Sequence, residues 1–376
     1  MIALISTLSV LLTGIYLFVL SYLIKGWAAL KHPGITTAGF TTKVTVMIAA
    51  RNEAQRIHLT IEDILAQDYP KHLTEIIIVD DHSTDNTAAI IAGYADRGIK
   101  LLQLNEDKPL NSYKKKALTE TIRLSAGELM VATDADCRMG NKWLSSVVGY
   151  FEKEQPVMIS SPVCYFEETS LFERMQTLEF YYLIGIGAAF IGNGRASTCN
   201  GANLAYRKDV FYEVGGFKGI DDLASGDDEL LLQKVAARFP GKIGFLKLHN
   251  AVVYTHAKHT LKEFLQQRRR WASKSVKYKD KKVVALAVCI WLFNLSLLIN
   301  GCLGFYDISY FKLFAAQFLL RYLLELVFIL PISTFFKRPN LITLLIIIIP
   351  VHTLYFIYIG LIGNTSTYTW KGRVVR

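Results

Sequence analysis

Long apolar segments at both ends of the chain constrain its fold more than any other feature. Residues 2–24 contain no charged side chain, and residues 283–301, 314–330 and 341–361 are also predominantly apolar. Each segment is close to the roughly 20 residues that an α-helix needs to cross a bilayer. Backbone polar groups in lipid must be satisfied internally, so such segments form helices. The sequence therefore predicts membrane helices on either side of a more polar middle.

The distribution of basic residues predicts an orientation for these helices. Lys25 and Lys31 follow the first segment, and a dense run of arginine and lysine at residues 268–282 precedes the second. Because an excess of lysine and arginine marks cytoplasmic loops, we expect the middle of the chain on the cytoplasmic face of a bacterial inner membrane. The formal charge of +10, gathered beside apolar segments, favours a membrane surface over a nucleic acid as partner.

The C-terminal region leaves its topology open. Basic residues at positions 337 and 338 mark a second cytoplasmic loop, so the two segments before them form a hairpin. Pro350 and His352 interrupt the last segment, and a full crossing would leave the basic tail outside. Either this segment is re-entrant or the positive-inside rule fails here. Arg321 and Glu325, four residues apart, are expected to pair across one helix turn.

The middle of the chain alternates between strand and helix patterns. Runs at residues 44–50, 75–79, 99–102, 128–133 and 156–163 are typical of strands, and helical patterns lie between the first four. A further helix is predicted to begin at Ser225, because a serine followed by acidic residues is a typical helix start. Such alternation predicts βαβ units and a mostly parallel α/β sheet. We therefore expect an N-terminal anchor, one α/β domain, two or three C-terminal transmembrane helices and a basic tail, at residues 1–25, 43–275, 283–363 and 364–376.

Two carboxylates one residue apart, Asp134 and Asp136, follow the apolar run at 128–133. In an open α/β sheet, ligands bind outside the carboxyl ends of the strands. A carboxylate pair there suits Mg²⁺ or Mn²⁺, which takes its remaining ligands from phosphate and water. The competing interpretation is an ordinary turn, in which aspartate is common. The sequence contains no GxGxxG or Walker loop, so a metal and cationic side chains would have to hold any phosphates.

Several acidic and basic motifs follow one another in an order that resembles the family 2 glycosyltransferases. They are Asp-Asp-x-Ser at 80–83, Asp-x-Asp at 134–136, Asp-Asp at 227–228 and Gln-x-x-Arg-Trp at 267–271. The chain looks in particular like the membrane-embedded members related to cellulose, hyaluronan and chitin synthases and to ceramide glucosyltransferases. The resemblance implies a GT-A fold and an inverting transfer of sugar from a nucleotide-diphosphate donor, UDP-linked, to a lipid or growing glycan.

The resemblance also implies a donor site at the strand ends. Asp80 would accept hydrogen bonds from the uracil or ribose, and Lys114 would face phosphate or the uracil edge. Asp136 would bind the metal directly, with Asp134 nearer the ribose and a metal-bound water. The remaining donor-site residues are Ala50, Arg51, Asn52, Glu53 and Asp81. One departure is Ala49, where the family usually has a proline.

On the acceptor side, the resemblance makes Asp228 the general base, with Asp227 beside it. An inverting transfer needs one carboxylate to take the proton of the attacking hydroxyl. Arg270 would grip the diphosphate, Trp271 would stack on the apolar face of the acceptor sugar, and Gln267 completes this motif.

The sequence gives two interpretations for each of two further features. The aromatic, glycine-bearing stretch 171–192 either lines an acceptor groove or lies along the membrane surface. His256 either touches the metal or is an ordinary hydrogen-bonded histidine.

Two other classes of function compete with sugar transfer. Asp134 and Asp136, the later Lys208 and the acidic pair at 227–228 resemble the haloacid-dehalogenase phosphatases, in which the first aspartate is a phosphorylated nucleophile. That motif should lie on the first strand of its domain, whereas three predicted strands precede it here. A membrane scaffold that only binds nucleotide is the third possibility.

Overall fold

The structure is a computed structural model that describes residues 2–106, 110–273, 281–362, 368–370 and 373–375. The lysines at positions 274, 277 and 279 of the predicted basic run, and most of the predicted tail at 364–376, lie outside the described residues.

The described chain alternates helices and strands through its middle and is helical at both ends. The strands are β1 (Val44–Ala50), β2 (Thr74–Asp80), β3 (Ile99–Gln103), β4 (Leu129–Asp134), β5 (Arg138–Met139), β6 (Met158–Ser160), β7 (Val163–Tyr165), β8 (Leu204–Arg207), β9 (Ile243–Phe245), β10 (Val253–Thr255), β11 (Tyr368–Trp370) and β12 (Arg373–Val375). The helices are α1 (Ile2–Ala29), α2 (Ile57–Leu65), α3 (Thr87–Ala92), α4 (Tyr113–Leu124), α5 (Trp143–Glu154), α6 (Leu171–Gly192), α7 (Lys208–Glu213), α8 (Glu229–Arg238), α9 (Leu261–Ser273), α10 (Lys281–Leu303), α11 (Ile308–Phe335) and α12 (Leu345–Ile362).

A seven-stranded sheet in the order β3-β2-β1-β4-β8-β6-β9 forms the centre of the α/β region. Strands β1 to β4 run parallel, and β8 is antiparallel to both β4 and β6. Successive residues of β1 and β4 are buried on both faces, which explains why these strands are near-continuous apolar runs. Ala50 is in register with Asp80, and Ala49 with Asp134. The mostly parallel α/β sheet predicted from the sequence is therefore confirmed, and three motif-bearing strand ends meet at one edge.

Some short elements differ from the sequence predictions. The single strand expected at 156–163 is two strands, β6 and β7, which belong to different sheets, because the chain turns at Ser161 and Pro162. Strand β7 joins β10 and β5 in a three-stranded sheet. Strand β9 was not predicted, since three residues are too few to show a period.

Among the described residues, four helical segments are long and apolar enough to cross a membrane: Leu4–Ala29, Val284–Leu303, Ile308–Phe335 and Pro339–Leu361. Helix α12 continues through Pro350. This proline, which was expected to interrupt the segment, therefore lies inside a helix and does not end it. The predicted pair is present, with Arg321 Nε 2.8 Å from Glu325 Oε1. Arg321 also donates to Asn294 on α10 and Thr353 on α12. Such buried polar contacts satisfy groups that lipid would leave unpaired.

Helix α6 packs the α/β region against these membrane-length helices. A Cβ atom on Gly26 of α1 would lie 2.0 Å from the carbonyl oxygen of Ala189, and one on Gly192 would lie 2.1 Å from the carbonyl oxygen of Gly26. Trp27 lies between Phe245 of β9 and Phe335 of α11. One continuous hydrophobic core therefore includes residues from the sheet and from the candidate membrane helices.

Candidate functional site

A cavity of about 1340 Å³ opens at the carboxyl edge of β1 and β4. It gathers most of the site residues predicted from the sequence, although they come from seven separate stretches of chain. Those lining it are Ala50, Arg51, Glu53, Asp81, Lys114, Asp134, Asp136, Asp227, Asp228, His256, Gln267, Arg270 and Trp271. Asp80 is not among the lining residues.

The loops that follow β1 and β2 are joined into one rim. The guanidinium of Arg51 donates to the carbonyl oxygens of Asp81 and His82, at 2.7 and 2.8 Å. Asn52 has a φ of 51°, a left-handed conformation that asparagine tolerates better than most residues, and its side-chain oxygen accepts from the Thr84 amide. Arg51 therefore fixes the backbone around the predicted nucleotide site.

Asp80 lies beneath this rim. Its side chain is buried, and Oδ2 accepts from the Ser83 amide at 3.2 Å. Within the described chain, Asp80 Oδ1 is buried without a hydrogen-bond partner. An unpaired buried carboxylate oxygen is costly, so this atom has spare capacity to accept a hydrogen bond. The expected contact with uracil or ribose remains a prediction.

Helix α2 holds the turn that carries Asp136. The Thr60 hydroxyl lies 2.9 and 2.8 Å from the carbonyl oxygens of Ala135 and Cys137. Asp63 accepts from Arg138 Nε at 2.6 Å, just after the turn. Sequence reasoning missed Thr60, because nothing local distinguishes a buried threonine that binds a distant backbone.

Lys114, on the first turn of α4, joins two of the acidic motifs. Its Nζ lies 2.8 Å from Asp134 Oδ1 and 3.2 Å from Asp227 Oδ2. Burial alone would lower the pKa of Lys114, but these two carboxylates hold that pKa well above its usual range. Burial works to raise the pKa of Asp134, and the positive charges of Lys114 and Arg270 outweigh it and lower that pKa. At neutral pH Lys114 and Asp134 are therefore both ionised and form an ion pair.

Asp228 caps α8, which starts later than predicted. The sequence pattern put the helix start at Ser225, but Gly226 has a φ of 84° and turns the chain first. Asp228 Oδ1 accepts from the Glu229 amide at 2.6 Å, and Oδ2 accepts from the Gly201 amide at 3.0 Å. The carboxylate is therefore held in a fixed position on the cavity wall.

The loop before Asp227 is tied down by Lys115, which sequence reasoning also missed. Its buried ammonium donates to the carbonyl oxygens of three loop residues, at 2.6 to 2.7 Å. Those residues are Ile220, Leu223 and Ser225. The two adjacent lysines therefore have different partners: Lys114 contacts the carboxylates of Asp134 and Asp227, while Lys115 donates to backbone carbonyl oxygens of the loop.

The Gln-x-x-Arg-Trp motif lies on α9, and its residues divide between the cavity and the interior. Gln267, Arg270 and Trp271 line the cavity. Arg268 turns inward, where its Nη2 lies 2.6 Å from Glu179 Oε2 on α6. Its guanidinium carbon lies 4.3 Å from the centroid of the Trp271 ring. The ion pair holds the Arg268 guanidinium against the Trp271 ring. It thereby fixes the indole that is predicted to stack on a sugar.

The acids present fit a cation that is shared with a diphosphate. Within the described part of the chain, the Asp136 carboxylate has no hydrogen-bond or salt-bridge partner. Among the described residues, no three histidine, cysteine or acidic side chains form a metal cage. Mg²⁺ typically takes only one or two protein carboxylates and completes its shell with phosphate and water. Asp136, with Asp134 nearby, matches that requirement.

His256 lines the same cavity and a small neighbouring pocket that Asp136 also lines. Its ring lies against Phe166, with centroids 4.5 Å apart. Burial and the charge of Arg56 lower the pKa of His256, so the imidazole is neutral at pH 7. Its contact with a metal remains a prediction.

The phosphatase-like set of residues is not assembled. Lys208 Nζ donates to the carbonyl oxygen of Ser125 at 2.6 Å. It does not line the cavity that holds Asp134 and Asp136. The lysine that a phosphatase site needs is therefore away from the carboxylates.

Comparison with known proteins gives a family match. Residues 45–215 match the family model for Glycosyl transferase family 2. The Beta-monoglucosyldiacylglycerol synthase of Nostoc sp. is 32% identical over 112 residues, which cover 30% of this chain and 24% of that protein. The Probable glycosyltransferase YdaM of Bacillus subtilis is 29% identical over 239 residues, 61% of this chain and 54% of that protein. The chain thus spans between about a quarter and a half of these relatives.

The fold is also found among solved structures. The mannosyltransferase PcManGT from Pyrobaculum calidifontis, solved in complex with GDP-Man and Mn²⁺, superposes with a TM-score of 0.62 at 19% identity. The match covers 93% of this chain and 99% of that one. The α/β region therefore has the GT-A fold that the sequence predicted.

Proposed function

Because residues 45–215 belong to Glycosyl transferase family 2, we propose that the protein is an inverting glycosyltransferase. It moves a sugar from a nucleotide-diphosphate donor, UDP-linked, to a hydroxyl of a lipid or growing glycan. The observation that carries this proposal is the Lys114 bridge between Asp134 and Asp227. It brings the predicted donor acids and the predicted acceptor acids to one cavity.

Positive side chains supply the donor half of the mechanism. A departing nucleoside diphosphate carries negative charge that must be stabilised as its bond to the sugar breaks. Lys114 and Arg270 both line the cavity beside Asp134, so they are suited to bind the diphosphate oxygens. Asp136, with Asp134, would hold Mg²⁺ or Mn²⁺, which when bound neutralises further charge on the leaving group. Mn²⁺ in the PcManGT complex supports this choice of ion.

Asp228 supplies the acceptor half. Its carboxylate takes the proton of the acceptor hydroxyl while that oxygen forms a bond to the anomeric carbon. The bond from that carbon to the diphosphate oxygen breaks at the same time, which inverts the configuration. The amides of Gly201 and Glu229 hold the carboxylate in place, and Trp271 offers a flat face for a sugar ring.

We further propose that α1, α10, α11 and the segment Pro339–Leu361 cross a bacterial inner membrane with residues 43–275 in the cytoplasm. The length and hydropathy of the four candidate spans support the membrane. Lys25, near the C-terminal end of α1, and Lys31, just after it, support the cytoplasmic side.

The Asp136→Ala variant tests the donor site. We expect binding of UDP, measured by titration calorimetry on the full-length protein, to lose its dependence on added Mn²⁺, since the unpaired carboxylate is gone. Asp209→Ala, which removes an acid that pairs with Arg207 outside the cavity, should keep that dependence. Equal affinity with and without Mn²⁺ in the unaltered protein would contradict the proposal.

The Asp228→Asn variant separates an enzyme from a nucleotide-binding scaffold. We expect sugar transfer to fall by about 10²- to 10⁴-fold, the usual contribution of a general base, while UDP binding is retained. Membranes incubated with a panel of labelled nucleotide sugars provide the measurement. Undiminished transfer by the variant would remove Asp228 from the mechanism.

A further inference from the structure

One part of the cavity wall, which we name the apolar arm, is built from three different helices. Each contributes a pair of apolar or aromatic residues four positions apart, which places both on one helix face. The pairs are Phe18 and Tyr22 on α1, Ile186 and Phe190 on α6, and Leu286 and Ile290 on α10.

The α1 and α10 walls of the apolar arm belong to candidate membrane spans. Phe18 and Tyr22 lie within Leu4–Ala29, and Leu286 and Ile290 lie within Val284–Leu303. Phe18 is 72% exposed, although a large aromatic side chain gains most from burial. The apolar arm is therefore a partly uncovered apolar surface, and its α1 and α10 walls lie on helices long and apolar enough to cross a membrane.

Helix α6 leaves its apolar-arm face open because the opposite face is already packed. A Cβ atom on Gly185 would lie 2.3 Å from Ile332 of α11. Gly192, two turns further along the same face, contacts the backbone of Gly26. Ile186 and Phe190 line the cavity, and Phe190 also lies beside Tyr22 of α1, with ring centroids 5.8 Å apart.

The same cavity continues to the acidic site. The chain that leaves α6 runs along the cavity wall from Gly194 to Ala202. At Gly201 its amide holds the carboxylate of Asp228. One molecule can therefore lie against the apolar arm and present a hydroxyl to Asp228.

A lipid suits this shape better than a polysaccharide. Each methylene group that leaves water gains about 0.8 kcal/mol, so a hydrocarbon tail gains along the whole apolar arm. Sugar hydroxyls against the same wall would lose hydrogen bonds to water without replacement.

We propose that the acceptor is a membrane lipid whose hydrocarbon tail lies in the apolar arm while its head-group hydroxyl faces Asp228. This inference rests on the proposed function and chooses between its two acceptor classes.

The test reduces the space in the apolar arm with bulky substitutions and measures which product carries the labelled sugar. Full-length protein is placed in liposomes made from the total lipid extract of the expression host and given the labelled donor panel. We expect label in the organic phase for the unaltered protein. Ile186→Trp and Ile290→Trp should each reduce it by at least about tenfold, as if roughly two buried methylenes were lost. Val327→Trp, at a 53% exposed position of α11 that does not line the cavity, should leave it unchanged.

Hydrolysis of the donor by water in detergent, without lipid, serves as the control for folding and chemistry. It should stay within about twofold of the unaltered rate in every variant, since no change touches the acidic site. Leu286→Gln, which weakens the apolar wall without adding bulk, should also lose lipid product and keep hydrolysis.

The outcomes separate the two proposals. Label that appears in a water-soluble glycan, or lipid product unchanged in all filled variants, would overturn the lipid acceptor and leave sugar transfer standing. Neither hydrolysis nor transfer by the unaltered protein with any donor would overturn the proposed function, and the lipid acceptor with it.

Discussion

At the scale of single residues, the charge arrangement around Lys114 determines what the cavity can bind. The carboxylates that line this cavity would together repel a diphosphate, but Lys114 contacts two of them and Arg270 lies near Asp134. A metal-bound diphosphate carries both positive and negative charge. Its metal can therefore pair with the carboxylates of this cluster, and its oxygens can pair with Lys114 and Arg270. We therefore propose that the site favours an anion that arrives with a cation.

Replacing Lys114 should weaken donor binding. In Lys114→Met, Asp134 and Asp227 face each other without a counter-charge, and the diphosphate loses a positive contact. Because Lys114 keeps 23% of its side-chain surface exposed, we expect a loss of about 1–3 kcal/mol, or roughly 5- to 150-fold in UDP affinity.

Lys116→Met is the matched control, since Lys116 lies on the same helix and pairs with Glu120 on the surface. It should change UDP affinity by less than about twofold. Titration calorimetry measures both variants, and similar losses in the two would show that Lys114 has no special role at the site.

The sequence identified residues whose chemistry lies in their own motif and missed those that act on a distant backbone. Asp134, Asp228 and Arg270 belong to spaced motifs, and all three line the cavity. Thr60 and Lys115 instead donate to carbonyl oxygens 75 or more positions away. Only the folded chain brings those donors and acceptors together, so no local pattern could reveal them.

At the scale of elements, the contact between α1 and α6 depends on glycine. Gly26 and Gly192 allow the two backbones to approach so closely that any side chain would collide with a carbonyl oxygen. Small residues at such contacts are typical of helices that pack within membranes.

Gly26→Ala and Gly192→Ala should therefore both destabilise the protein. The added methyl must push the backbones apart, and we expect a cost of about 1–3 kcal/mol. Thermal unfolding of the purified protein in detergent, followed by tryptophan fluorescence, provides the measurement.

Gly14→Ala is the control on the same helix. A Cβ atom there meets nothing within 4 Å, so alanine should be neutral or stabilise by up to about 1 kcal/mol through helix propensity. If all three variants unfold at the same temperature, the close approach of α1 and α6 does not contribute to stability.

Long, buried elements could be predicted from the sequence, whereas short ones could not. Strands β1, β2 and β4 are runs of six or seven residues, long enough for a buried-strand pattern to be read. Strands β5 and β9 have two and three residues, so tertiary pairing alone defines them. The start of α8 was predicted too early because Ser225 looks like a cap, whereas the turn at Gly226 delays the helix to Glu229.

At the scale of the whole molecule, hydropathy located the membrane-length helices, and no sequence pattern indicated how the α/β region meets them. The sequence of the stretch 171–192 is compatible both with a groove wall and with a membrane-surface helix. As α6 it packs one face against α1 and α11 and turns the other to the cavity. Which face goes where depends on partners distant in sequence.

The proposed orientation predicts which loops a reagent can reach from each side of the membrane. Phe305, in the turn between α10 and α11, is 92% exposed. In a background with Cys302→Ser, Phe305→Cys should react with a membrane-impermeant maleimide added to intact spheroplasts, because this turn lies opposite the basic loops.

Lys337→Cys, in the exposed turn after α11, should react only after the membrane is opened. Gel-shift labelling of the two variants provides the readout. The reverse pattern would place residues 43–275 outside the cytoplasm and away from nucleotide sugars.

The tie between Gly201 and Asp228 has a consequence for protein engineering. The amide that holds the Asp228 carboxylate belongs to the loop that follows α6. Exchanging α6 for the helix of a relative would therefore keep this contact only if the loop from residue 194 to residue 202 kept its path along the cavity wall.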